Sequence, residues 1–163
     1  MLIEPVHSNE RQSLIDLAVM TGLFGTEDAE GLLGSVLDAL AAGSLPDGHA
    51  AIVCRAMAGA PPLGWSYFAP DQYADRVWNL WWIGVLPEHQ GTSAAHALLS
   101  HVESTAAQSG ARILIIETSD LGPMARARRF YVKRGYTERG RIPDFYAENE
   151  SKVIFSRSIP GAT

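Results

Sequence analysis

The sequence predicts an α/β fold of the α+β type, one mixed sheet covered by helices on both faces. Three observations carry that expectation. Strand and helix periodicities alternate along the chain in the order β α α β β β α β α β β. The run Ile113-Leu114-Ile115-Ile116 is apolar without interruption, as in a strand buried on both sides and parallel to its neighbour. The stretch Val85–Leu99 leaves an apolar strand, bends at Gly91 and enters a helix at once, so that strand, helix and next strand make a βαβ unit.

Residues 2–6 read as a short strand. Ser8 or Asn9 can cap the helix that follows, which carries Leu14, Leu17, Ala18 and, at its far end, Leu23 on one face. Gly25-Thr26 interrupts it, and Thr26 can cap a second helix with Leu32, Leu33, Val36, Leu37 and Leu40 at helical spacing, ending near Gly43. His49–Met57 and Leu63–Phe68 flank the turn Gly59-Ala60-Pro61-Pro62 as a β-hairpin. Val77–Val85 is the fourth strand, and Trp78, Trp81 and Trp82 break its alternation, which predicts a bulge. The helix opened by Thr92-Ser93 runs toward Ser109 and stops at Gly110, and Ala111–Thr118 is the fifth strand. A further helix spans Pro123 to Arg134 and stops at Gly135. Tyr136–Ile142 and Lys152–Ser158 then close the sheet as an antiparallel pair.

At 163 residues the chain has the size of one domain, 1–163, able to bury a real core. Hydrophobic residues at 47% and charged residues at 19% describe an ordinary globular protein rather than a disordered or membrane-embedded one. A net charge of −5 argues against a nucleic-acid partner, which calls for a basic stripe, and fits small or cationic partners. The lone Cys54 excludes an intrachain disulfide and, within His49-Ala50-Ala51-Ile52-Val53-Cys54, reads as a packed small hydrophobe. Met1-Leu2-Ile3-Glu4-Pro5 lacks a basic segment followed by an apolar run, and no stretch nears the roughly 20 apolar residues of a membrane span. A cytoplasmic location with no membrane partner is expected.

The strand-to-helix junction has the chemistry of an anion cradle. Gly91 lets the backbone bend, while Ser93 and Ala95 are small enough for main-chain N–H groups to approach a ligand closely. Unpaired donors in the first helical turn then face negative charge. By itself such a turn is common.

Together with the element order, the junction resembles the GNAT superfamily of acetyl-CoA-dependent N-acetyltransferases over nearly the whole chain. The family's turn, Gln/Arg-x-x-Gly-x-Gly/Ala, is met by Gln90-Gly91-Thr92-Ser93-Ala94-Ala95 at its first and last positions, with Ser93 in place of the middle glycine. A second family pattern, Ala-x-x-Phe/Leu-Tyr-x-x-x-Gly-Phe/Tyr, is matched throughout by Ala127-Arg128-Arg129-Phe130-Tyr131-Val132-Lys133-Arg134-Gly135-Tyr136. Met124 stands where relatives often carry an asparagine.

The resemblance implies that the fourth and fifth strands splay and that acetyl-CoA enters there, its pyrophosphate on the amides of Gly91, Thr92, Ser93, Ala94 and Ala95 beside Gln90. Its pantetheine arm would pair with backbone groups of Ile83 and Val85, and the Val85 amide would face the thioester oxygen as it gains charge. Tyr131 is implied to donate to the leaving thiolate. Without the motif, it would read as a tyrosine packed on the sheet. A primary amine, in a small molecule for preference, attacks directly in a ternary complex. Such a reaction needs no metal and no acetyl-cysteine intermediate, and a homodimer is in keeping with the family.

Glu117, at the carboxyl end of the fifth strand, is the candidate general base, with a structural hydrogen bond to Thr118, Ser119 or a nearby amide as an equal alternative. Asp144, Tyr146 and Glu148 read as a loop near the acceptor or as a plain polar turn. Trp78, Trp81 and Trp82 read first as core. His96 and His101, five apart on a helix, do not have metal-ligand spacing, and Arg126, Arg128 and Arg129 read as a solvated face or as contacts to the nucleotide phosphate. Ser93, Met124 and the unsettled base favour, as the rival function, an acyl-CoA-binding sensor without turnover; a nucleotide-binding Rossmann domain stands further off, because the turn follows the fourth strand instead of the first.

Overall fold

Apolar alternation produces seven strands in the computed structural model, which describes residues 1–160. They are β1 (Leu2–Pro5), β2 (Ala50–Arg55), β3 (Pro62–Pro70), β4 (Val77–Val85), β5 (Ile113–Ser119), β6 (Thr137–Ala147) and β7 (Glu150–Ser158). The α-helices are α1 (Arg11–Met20), α2 (Thr26–Ala29), α3 (Ser35–Ala41), α4 (Ser93–Gln108) and α5 (Ala125–Lys133). The strands follow the order β1-β2-β3-β4-β5-β7-β6, with β4 and β5 parallel, so the mixed α/β sheet is as expected. The last three residues of the 1–163 span lie outside the described residues. No described helix is long and apolar enough to cross a membrane.

The chain divides into two compact units, one of Met1–Ala69 with Trp82–Val102, the other of Pro70–Trp81 with the chain from Glu103 onward. In the first unit, Leu14, Ile15, Leu17 and Ala18 of α1 and Leu37 of α3 bury themselves with Val53, Trp65 and Trp82 of the strands. The Trp65 indole N–H donates to the Leu14 carbonyl at 3.1 Å, so this buried polar group is satisfied. Arg55, also buried, is held by Glu4 at 3.0 Å, by Glu10, and by the Ala60 carbonyl at 2.8 Å. Cys54 is buried and free, as expected of a small hydrophobe.

The first helical segments depart from simple periodicity. Ser8 and Asn9 lie in a 3₁₀ turn, and the reciprocal contact is between the His7 amide and the Glu10 carboxylate at 2.9 Å. The second predicted helix is broken by a π-helical turn at Glu30–Gly34. Its wider winding shifts the apolar face, so Leu33 is buried while Leu32 is 60% exposed. Gly34 leaves room for an ion pair: a Cβ there would lie 2.9 Å from Glu30 Oε2, which meets Arg11 at 2.8 Å.

In the second unit the β4–β5 ladder runs without a register shift from Val77↔Ile113 to Leu80↔Ile116 and ends there, although β4 continues to Val85. Trp78, Asn79 and Leu80 are all buried, as in a strand covered on both faces, and no bulge interrupts this ladder. Trp81 instead faces solvent. The β6–β7 hairpin reaches further than predicted, placing Asp144 and Tyr146 within β6 and leaving Glu148 in the turn. Irregular pairing between Ile142 and Ala147 accommodates Asp144 at φ +51°, and its carboxylate accepts from the Asn149 amide at 2.7 Å.

Glu103 of α4 anchors this unit. It accepts from Arg134 at 2.6 Å, Arg157 at 2.9 Å and the Tyr136 hydroxyl at 3.0 Å. Burial, followed by the nearby Glu103 charge, pushes the Tyr136 phenol far above its ordinary value, so the hydroxyl stays a donor. Glu103→Gln is expected to cost about 2 kcal/mol, below the range for a fully buried pair because Arg157 is partly exposed. A urea-unfolding midpoint equal to wild type would show that this cluster is not an anchor.

Candidate active site

The first unit holds the strand-to-helix junction. After β4 the Leu86 amide donates to the Leu63 carbonyl at 2.9 Å, and a 3₁₀ turn over Pro87–His89 leads to Gly91 at φ +78°. That left-handed conformation is one that glycine adopts without strain. The Gln90 side chain donates to the Val85 carbonyl at 3.2 Å, tying the turn back to the strand.

Thr92 caps α4. Its hydroxyl donates to the His89 carbonyl at 2.5 Å and accepts from the Ala94 amide at 3.3 Å. The Thr92 amide is likewise directed inward, to the His89 carbonyl at 3.3 Å. Of the amides expected to receive an anion, those of Thr92 and Ala94 thus have internal partners, though both contacts are long. Ser93 lies exposed at the first helical position, and Ala94 is buried beneath it. Ile83 is half-buried and Val85 buried, as strand residues offering backbone rather than side chains.

Beside these strand residues, Trp82 packs with Phe24 at 5.5 Å and with Trp65 at 5.8 Å between ring centroids. Its buried indole N–H has no hydrogen-bond partner among the described residues. Gly84 makes this packing possible: a Cβ there would stand 2.3 Å from the Trp82 ring.

The second unit carries Glu117 and Tyr131. Tyr131 is 4% exposed, ringed by Phe130, Tyr136 and Phe155 at 5.7, 6.2 and 5.8 Å between centroids. Burial drives its phenol well above the ordinary tyrosine value, so it stays protonated across the working pH range. Glu117 meets neither Thr118 nor Ser119: its carboxylate pairs with Lys152 Nζ at 2.8 Å. Lys152 also lies 3.7 Å from the Phe145 ring centroid and 5.9 Å from that of Tyr146.

Lys152 is a partner of Glu117 that sequence spacing alone does not reveal. The signal was register: Glu117 stands opposite Ile154, so Lys152, two residues along, emerges on the same face of the β5–β7 pair. Asn79 is also committed, donating to Asp71 at 3.0 Å. Among the described residues, no three His, Cys, Asp or Glu side chains are grouped to hold a metal ion.

A mixed sheet whose parallel pair is joined through a glycine-bent, threonine-capped helix start defines the class, an α/β domain. The chain belongs to the acetyltransferase (GNAT) family, whose model matches residues 32–136, from the π-helical turn through Tyr136. Among solved structures, a GNAT-family protein from Desulfovibrio desulfuricans superposes with a TM-score of 0.86 at 23% identity, over 98% of this chain and 99% of that one. The ribosomal-protein-S18-alanine N-acetyltransferase of Escherichia coli gives 0.75 at 16%, over 99% and 96%. An aminoglycoside 6′-N-acetyltransferase solved with coenzyme A gives 0.74 at 16%, over 100% and 99%. These likenesses establish the shared fold. No curated protein matches the chain in sequence.

Proposed function

We propose that the chain works as one cytoplasmic catalytic domain, transferring the acetyl group of acetyl-CoA to a primary amine of a small molecule by direct attack in a ternary complex. The observation that carries this reading is the family match across the Gly91 turn and the Tyr131 helix. One relative of the same fold was solved with coenzyme A, which supports that donor.

Acetyl-CoA supplies the activated acyl carbon. Gly91, Thr92, Ser93, Ala94 and Ala95 receive its diphosphate through main-chain N–H groups, with the two long internal contacts of Thr92 and Ala94 giving way to phosphate oxygens. Backbone groups of Ile83 and Val85 hold the pantetheine arm, and the Val85 amide stabilises the oxyanion. The amine nitrogen bonds to the thioester carbon, the C–S bond breaks, and Tyr131 donates a proton to the departing thiolate.

Glu117 receives the proton shed by the acceptor once its pair with Lys152 opens. Glu117, Phe145 and Tyr146 together already hold one ammonium group, that of Lys152, and this chemistry favours a cationic acceptor. An aminoglycoside, the substrate named for one relative, is of that kind.

Calorimetry with acetyl-CoA, followed by thiol release over a panel of small primary amines, tests the proposal. Binding with turnover on at least one cationic amine is expected. Binding without turnover on any acceptor points to a sensor, and no binding at all overturns both readings.

A further inference from the structure

The charge of this chain is unevenly distributed. Nine of its thirteen basic residues fall between 126 and 157, against four carboxylates, in a protein whose net charge is −5. Within the second unit, Arg128, Arg129 and Lys133 of α5 and Arg141 of β6 line one cavity of about 290 Å³. Four cations sharing a cavity repel one another, and Arg129 and Lys133, at i and i+4 of the helix, add to that cost.

The protein's own groups do little to offset it. Glu138 is the single carboxylate lining the cavity, and both its oxygens are taken by Arg141, at 2.6 and 3.2 Å. That pairing holds the Glu138 carboxyl below its usual range, so it stays ionised and engaged. Arg128 is oriented through Nη1, which donates to the Ser119 and Leu121 carbonyls at 2.7 and 2.9 Å. Among the described residues, neither Arg129 nor Lys133 meets a carboxylate within ion-pair distance.

We propose that this cavity between α5 and β6 binds a phosphate-bearing small molecule. Guanidinium groups match phosphate oxygens two at a time, and an ammonium adds a point charge. Val132 and Phe155 supply an apolar wall for a small organic portion, and the volume admits a diphosphate or a phosphorylated fragment. Phe155 also packs on the Tyr131 ring at 5.8 Å, and Tyr131 lies between Arg129 and Lys133 in sequence. Occupancy therefore acts on the helix that carries Tyr131.

Pyrophosphate is the probe, titrated calorimetrically into protein saturated with coenzyme A so that the Gly91 turn cannot account for the heat. Arg129→Ala/Lys133→Ala is expected to weaken binding by about tenfold or more, since two charge-assisted contacts go. Glu138→Gln should tighten it several-fold by releasing Arg141. Wild type without heat, or three proteins with equal affinity, overturns the proposal. Where coenzyme A binds, Arg129→Ala/Lys133→Ala should leave its affinity unchanged, which separates this cavity from the nucleotide-phosphate contact that the sequence offers for Arg129; where it does not bind, the three-way comparison still decides this site. The substituted side chains are exposed, so calorimetric melting of both variants should stay near wild type and confirm that they fold.

Discussion

Tyr131→Phe is expected to lower kcat by about two to three orders of magnitude while leaving acetyl-CoA affinity within a few-fold of wild type. The ring is held by Phe130, Tyr136 and Phe155 on three sides, and those contacts survive loss of the hydroxyl. Stability should therefore change little, which separates a chemical role from a packing one. A thiolate leaving an acetyl thioester needs a proton or a strong hydrogen bond, and a phenol that burial keeps protonated supplies either without titrating near neutrality. Thiol release by the variant should remain proportional to enzyme and independent of added acetyl-CoA beyond saturation. Turnover equal to wild type, with equal thermal stability, would return Tyr131 to the status of a core aromatic.

Much of this architecture was legible because it depends on local rules. The apolar run at Ile113–Ile116 did become a strand parallel to β4, and Gly110 and Gly135, both at positive φ, do end their helices. The Gly91 bend follows from the same chemistry. What escaped the sequence is decided by partners far along the chain. The π-helical turn that exposes Leu32 accompanies the Arg11–Glu30 contact, which spans 19 residues. Glu117 reads as a free strand-end carboxylate until the β5–β7 register brings Lys152 to the same face. Asp144 and Tyr146 look like loop residues because the stretch is polar and lies between two strands, yet the edge strand accommodates Asp144 at positive φ, bulges and continues. The Arg128, Arg129 and Lys133 run looks like any solvated helix face, and only β6 folding beside it supplies Arg141 and a cavity. Local signals thus specify elements, whereas pairings at long sequence separation determine which side chains in the proposed site are already engaged.

Gly64→Val is expected to damage the first unit severely. A Cβ at this position would stand 2.6 Å from the Gly84 carbonyl oxygen, 2.9 Å from Val85 Cγ2 and 3.2 Å from Leu98 Cδ1. The nearest of these is backbone, which cannot swing aside as a flexible side chain can. Gly84 cannot retreat freely either, since a Cβ there would lie 2.3 Å from the Trp82 ring, so two side-chainless positions are needed for this stretch of strand to lie where it does. Overpacking at a site with no free volume costs about 3 kcal/mol, and the strain falls on Val85, whose carbonyl also anchors Gln90. Acetyl-CoA affinity should then fall by about tenfold or more even in the fraction that folds, because the Val85 amide and the Gly91 turn shift together. Gly31→Ala is the control: open space surrounds that position, and stability should stay within about 1 kcal/mol of wild type. Urea unfolding of both variants, with calorimetry on the folded protein, measures the two effects separately. A Gly64→Val protein with wild-type midpoint and wild-type affinity would mean that the close approach of Gly64 to Gly84 has no part in holding the proposed acetyl-donor site.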